Sequence, residues 1–155
     1  EPVFGGVYKL AAIEDDQGNI IPKIKVSENV DKITNPHFKK VYRFYGNDTG
    51  KAIADYITVY DETLDDTKDL EIFDPSATWK KKTVYNFTAR PLLVPVFLGG
   101  KRVYDSPSLP EIQAYCRQQV DTLWDEVKRF DNPHSYYVDL SDRLWNIQQD
   151  LLRNR

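Results

Sequence analysis

Lys40-Val41-Tyr42-Arg43-Phe44-Tyr45, Gly46-Asn47-Asp48-Thr49-Gly50 and Ala52-Ile53-Ala54-Asp55-Tyr56-Ile57-Thr58-Val59-Tyr60 stand almost end to end, and together they decide the fold class. The two outer runs alternate side-chain character with a period of two and are rich in aromatic and β-branched residues, the pattern of half-buried strands. The five residues between them are the clearest turn signal in the chain, because Gly, Asn and Asp tolerate the backbone angles of tight turns.

Upstream, Val7 to Glu14 alternates as a strand, Asp15-Asp16-Gln17-Gly18-Asn19 supplies a turn, and Ile20 to Val26 reads as the returning strand. Pro22 has no N–H to give to a ladder, so that strand belongs at an edge. Asn35-Pro36-His37 marks a further turn. Downstream, Asp61 to Asp69 is an acidic exposed loop, and Leu70 to Phe73 and Thr83 to Thr88 are strand-like. Leu92 to Leu98 and Lys101 to Tyr104 flank Gly99-Gly100, a hairpin turn. The character changes at Ser106. Ser108-Leu109-Pro110-Glu111 fits a capping box with Pro in the first helical turn. Ile112, Tyr115, Cys116, Val120, Leu123, Val127 and Phe130 then recur at helical spacing, predicting one long amphipathic helix to about Phe130, which Asn132-Pro133 ends. A second helix starts near Ser141, with Leu140, Leu144, Ile147 and Leu151 on its stripe and Trp145 beside it. The chain is α+β: antiparallel strands and hairpins first, a two-helix part last.

Composition bounds the function. Ten Tyr, seven Phe and three Trp among 155 residues are enough for a real core. The formal charge of −3 argues against a nucleic-acid partner. No apolar run is long enough to span a bilayer, and no secretory signal opens the chain. Cys116 is alone, so no internal disulfide forms, and no Cys or His spacing suggests zinc. These features favour a reducing, cytoplasmic setting. The chain opens at Glu1 and contains no Met, as expected of a processed product or a piece of a longer protein.

Catalytic groups are scarce. His37 and His134 each follow a proline in a turn, and both read as loop-bracing or solvent-facing residues. Cys116, on the apolar face of the long helix, reads as a small core hydrophobe. The acidic run from Asp61 lacks the spacing of an EF-hand loop. Lys80-Lys81-Lys82 alternate between two faces of a strand and read as edge protection. The one binding candidate is the basic segment from Lys23 to Arg43, with six basic residues in twenty-one. Lysines converging with the hydroxyls of Ser27 and Thr34 suit a phosphate or pyrophosphate group, whose charge-assisted bonds are strong. The competing reading is an exposed face that Glu28 and Asp31 partly neutralise.

Several blocks carry a family resemblance: Gly5-Gly6-Val7-Tyr8-Lys9-Leu10; the pattern Lys25-x-Ser27-x4-Lys32-x-Thr34-x-Pro36-x2-Lys39-x3-Arg43; Ala89-Arg90-Pro91-Leu92-Leu93-Val94-Pro95; Ser108 to Ile112; Leu123-Trp124-Asp125-Glu126; and Asn132-Pro133-His134-x-Tyr136 to Ser141. In this order they resemble the C-terminal portion of bacterial nicotinate phosphoribosyltransferases, nearest to the Gram-positive branch. The resemblance implies a fragment of a type II phosphoribosyltransferase-like α/β-barrel enzyme. It places residues 1–46 as strands completing the parent's core and β domain, and 47–155 as a C-terminal α+β domain. The whole enzyme forms nicotinate mononucleotide from nicotinate and phosphoribosyl pyrophosphate with ATP hydrolysis, using ATP and Mg2+, and works as a homodimer in NAD salvage. None of these cofactors is expected on this segment alone, whose natural partner is the N-terminal barrel part. No catalytic residue and no metal ligand carries over. Lys25, Ser27, Lys32, Thr34, Lys39 and Arg43 become candidate phosphate contacts, and the segment alone is expected to be inactive. His37 stands where the family pattern has Gly. The alternative is an independent protein-interaction module using the apolar stripe of the helices.

Overall fold

The structure is a computed structural model that describes residues 5–29 and 32–154. The element order is β1 (Ala12–Glu14), β2 (Ile20–Pro22), β3 (Lys39–Gly46), β4 (Ala52–Val59), β5 (Leu70–Asp74), β6 (Ala77–Val84), β7 (Phe87–Pro91), β8 (Phe97–Leu98), β9 (Lys101–Arg102), α1 (Leu109–Asp121), α2 (Asp125–Lys128), β10 (Tyr137–Leu140) and α3 (Asp142–Arg153). The α+β reading holds. The chain forms two compact units.

The first unit takes the described residues up to Lys39, together with Thr58–Glu62 and the C-terminal stretch from Ser141. β1 and β2 pair antiparallel with Ile13 opposite Ile21. Asp15 makes their turn: its carboxylate accepts the N–H of Gln17 at 2.9 Å and of Asn19 at 2.8 Å, while Gly18 supplies φ 83°. β1 starts later than alternation predicts, because Val7 and Tyr8 find no partner strand among the described residues and stay 85% exposed. α3 is capped by Ser141, whose hydroxyl accepts the Leu144 N–H at 3.2 Å and donates to Glu62 at 2.8 Å. Leu144 and Val59 are fully buried in this unit.

The second unit, Lys40–Ile57 and Thr63–Leu140, holds a four-stranded sheet in the order β10-β4-β3-β7. The 46–51 turn lies as the sequence predicts, closed by the Gly46 N–H on the Lys51 carbonyl at 3.0 Å. β7 runs antiparallel to β3, and β10 runs parallel to β4 with Tyr137 opposite Ala54. A β5–β6 hairpin covers one face, and the core between is Phe44, Ala54, Tyr56, Ile72, Val84 and Phe87. Phe44 is central, tilted against Phe87 at 4.7 Å and Tyr56 at 5.5 Å between ring centroids.

Four expectations shift here. The run Thr83 to Thr88 is divided between two strands, because Asn86 takes φ 48° and ends the ladder of β6 before β7 starts. The long helix stops at Asp121 rather than near Phe130. The Thr122 hydroxyl bonds back to the Gln119 carbonyl at 2.6 Å, and Trp124 turns extended (ψ 148°) before the single turn of α2. Leu140, expected on the stripe of the second helix, instead ends β10 opposite Ile57: a parallel strand is paired by residues far away in sequence, so no local turn announces it. The Gly99-Gly100 turn forms as read, but its strands shorten from the expected Leu92–Leu98 and Lys101–Tyr104 to Phe97–Leu98 and Lys101–Arg102. The Ser108–Glu111 box forms as read, with the Glu111 carboxylate accepting the Ser108 N–H at 2.7 Å.

Candidate functional site

The basic segment lies in the first unit up to Lys39. After β2 the chain stays pinned, because the Ala11 carbonyl accepts both the Lys23 N–H (2.8 Å) and the His37 N–H (2.7 Å). The Thr34 N–H reaches the Lys25 carbonyl at 3.3 Å, and the Lys9 ammonium holds the Lys32 carbonyl at 2.8 Å. Lys25 and Thr34 are thereby neighbours through their backbones, and the side chains of Lys25 and Lys32 are exposed. The Ser27 hydroxyl accepts the Asn29 N–H at 3.3 Å. The Thr34 hydroxyl is buried and has no hydrogen-bond partner among the described residues, an uncompensated cost unless something else reaches it. Asp31, the proposed neutralising charge, falls outside the described residues.

Lys39 is used differently. Its ammonium donates to the carbonyls of His37 (2.7 Å), Asn35 (2.8 Å) and Pro36 (3.3 Å), closing the turn on itself. Burial pushes its pKa below the usual lysine value. His37 sits inside this turn at φ 78°, a conformation costly for any residue with a Cβ. It is 8% exposed, its Nδ1 accepts the Phe38 N–H at 2.9 Å, and its ring stacks on Tyr60 at 6.0 Å. This is the bracing role expected for it. From α3, Gln148 donates to Asn35 Oδ1 at 2.9 Å and fixes the other end of the turn.

Arg43 belongs to the second unit. It makes a two-pronged pair with Asp55 at 2.7 and 2.9 Å, and its guanidinium lies 5.8 Å from the Tyr136 ring centre. The Tyr136 hydroxyl completes the set by donating to Asp55 at 3.0 Å. The hydrogen bonds to Asp55 push Arg43 further up, and burial pushes the Tyr136 phenol up. These groups are internally satisfied.

Cys116 is exposed, so the apolar face of α1 is not covered within the described residues. His134 is exposed in the loop after α2. Among the described residues no group of three or more His, Cys, Asp or Glu side chains is placed to hold a metal ion. Among the described residues no helix is long and apolar enough to cross a membrane. What residue-by-residue reading missed is a cleft of about 1010 Å³ in the second unit, beside β6. Its signal was present: Lys80 and Lys82 share one face of β6, whereas Lys81 points away to Glu71 at 2.6 Å.

Comparison with known proteins bears on the whole chain. Residues 38–148 match the family described as nicotinate phosphoribosyltransferase C-terminal domain. A nicotinate phosphoribosyltransferase of Bacillus subtilis is 41% identical over 146 residues, covering 94% of this chain and 30% of that protein. The human enzyme of the same name is 31% identical over 152 residues, covering 97% of this chain and 27% of its own length. The crystal structure of human nicotinic acid phosphoribosyltransferase superposes with a TM-score of 0.67 at 26% identity, over 76% of this chain and 23% of that one. The chain thus spans less than a third of the relatives it matches.

Proposed function

The chain belongs to the nicotinate phosphoribosyltransferase C-terminal domain family, and on that premise we propose that it serves as the C-terminal portion of an enzyme making nicotinate mononucleotide from nicotinate and phosphoribosyl pyrophosphate. The observation that carries this reading is 41% identity across 94% of the chain to the Bacillus subtilis protein. In this proposal ATP and Mg2+ act on the whole enzyme, the remainder of the enzyme is the chain's covalent partner, and the assembly is a homodimer in the cytoplasm. The segment's main task is to support the fold and the dimer.

Within that role the loop from Lys25 to Thr34 contacts a substrate or ATP phosphate. Lys25 and Lys32 supply exposed cationic donors, and the hydroxyls of Ser27 and Thr34 supply directed ones. The Thr34 hydroxyl, buried without a partner among the described residues, supports this reading, since a shift of the loop that uncovers it would give it an acceptor oxygen. Lys39 holds the adjoining turn, and Arg43 is committed to Asp55. Both therefore act by positioning backbone.

The test is an assay of the complete protein that carries this chain, with nicotinate, phosphoribosyl pyrophosphate and Mg-ATP. Nicotinate mononucleotide is the expected product, and the chain alone gives none. Use of nicotinamide in place of nicotinate, or turnover by the chain alone, overturns the assignment. Lys25→Ala and Lys32→Ala each raise the KM for phosphoribosyl pyrophosphate or ATP by roughly tenfold, the value of one charge-assisted bond. Unchanged constants for both substrates remove the phosphate role.

A further inference from the structure

The cleft beside β6 lies wholly in the second unit and is independent of the loop from Lys25 to Thr34. Its walls come from the β3–β4 turn, the β5–β6 hairpin and the residues from Trp124 to Tyr137, and its size suits a small organic ligand. Three kinds of group converge on it. The first is aromatic: Trp124, Tyr136 and Tyr137. Trp124 and Tyr137 remain 44% and 47% exposed, so ring area is open to a flat ligand. Tyr136 is held rigid by its hydroxyl on Asp55. The second is cationic, Lys80 and Lys82 side by side on one strand face, with the Lys82 ammonium 5.1 Å from the Tyr137 ring centre. The third is a set of carboxylates, Asp48, Asp74 and Glu126, placed on separate elements.

A purely anionic ligand would be opposed by those three carboxylates, and a purely cationic one by the two lysines. The mixture fits a molecule with an aromatic ring, sugar hydroxyls and a phosphate. Aromatic side chains stack on a base, carboxylates accept ribose hydroxyls, and lysine ammoniums hold phosphate. Two of the three described non-glycine residues with positive φ also stand at this cleft: Asn86 in its wall, and Asn132 directly before Pro133 of the wall. Such angles persist only where the surroundings enforce them. We propose that the cleft between β6 and the Trp124–Tyr137 segment is a nucleoside phosphate binding site, separate from the phosphate-contacting loop.

The experiment is photolabelling of the complete protein with 8-azido-AMP, followed by peptide mapping. Saturable label on peptides containing Trp124 or Tyr137, blocked by AMP but poorly by adenosine, is expected. A Lys80→Gln/Lys82→Gln variant raises the half-saturating concentration by about a hundredfold, since each lysine contributes one charge-assisted bond worth about a factor of ten. Lys81→Gln, on the opposite face of the same strand, leaves it unchanged. Absence of label from both peptides overturns the proposal. So does protection by adenosine equal to that by AMP, or an equal loss in the Lys81 variant. Excess phosphoribosyl pyrophosphate and nicotinate leave the label in place, so the result stands or falls apart from the catalytic assignment.

Discussion

Removing the Asp55 carboxylate should loosen the central sheet of the second unit by an amount that can be worked out beforehand. Asp55 accepts both prongs of Arg43 and the Tyr136 hydroxyl, and the Arg43 and Asp55 side chains are only 20% and 15% exposed. Asp55→Ala leaves a half-buried guanidinium without its acceptors and a phenol without its partner. Breaking a fully buried pair from one side costs about 3–5 kcal/mol, and the residual water access here lowers that to about 3 kcal/mol. Divided by the 1.36 kcal/mol that makes a factor of ten, this is roughly a hundredfold. Hydrogen–deuterium exchange of the complete protein reads it directly, as slow amides exchange through opening. Peptides covering β3 and β4 should exchange about a hundredfold faster in the variant. Arg43→Met, which keeps the stem and removes the charge, should lose about half as much, because Asp55 keeps Tyr136 and regains water. Protection within threefold of wild type in the Asp55 variant refutes the view that this pair braces the sheet.

The other predictions concern separate sites. Asp139 is 2% exposed, and burial, with repulsion from Asp74, pushes its carboxyl up to about 6 against the attraction of Lys82. The folded state therefore holds a proton that the unfolded chain has released from about pH 4 upward, so stability contributed below pH 4 is lost as pH rises to 6. Asp139→Asn should flatten that decline and stabilise at pH 7 by about 1–3 kcal/mol, read from melting curves across pH 4–7. Ser141→Ala removes the cap of α3 and one of the partners of Glu62, so α3 amides should exchange about tenfold faster, matching roughly 1–2 kcal/mol. At His37, whose φ is 78°, Gly should be more stable than Ala by about 1 kcal/mol, as compared by urea unfolding. An Ala variant as stable as the Gly variant contradicts the backbone strain.

The candidate phosphate loop shows how far a sequence goes toward a site. Lys25, Ser27, Lys32 and Thr34 were legible as a set because charge and hydroxyl content are local properties. That Lys39 would spend its ammonium on three carbonyls of its own turn was not legible. Neither was the engagement of Arg43 with Asp55, twelve residues away across two strands. The cleft was hidden for the same reason: Lys80 and Lys82 lie far in sequence from Trp124 and Tyr137, and only pairing of β10 with β4 brings Tyr136 and Tyr137 to their place.

The sequence by itself determined the elements whose causes lie within a few residues. These are the 46–51 turn and its flanking strands, the Gly99-Gly100 hairpin, the capped start of α1, the Ser141 helix and the α+β class. Ordered blocks of residues also placed the chain in its family. Tertiary structure alone decided the parallel strand β10, the early end of α1 and the exposed face of that helix. It alone divided the basic segment into side chains that brace the fold and side chains left facing water. The reason is physical. Turn, cap and periodicity energies depend on near neighbours along the chain, whereas burial and the choice of hydrogen-bond partner depend on residues that only folding brings near.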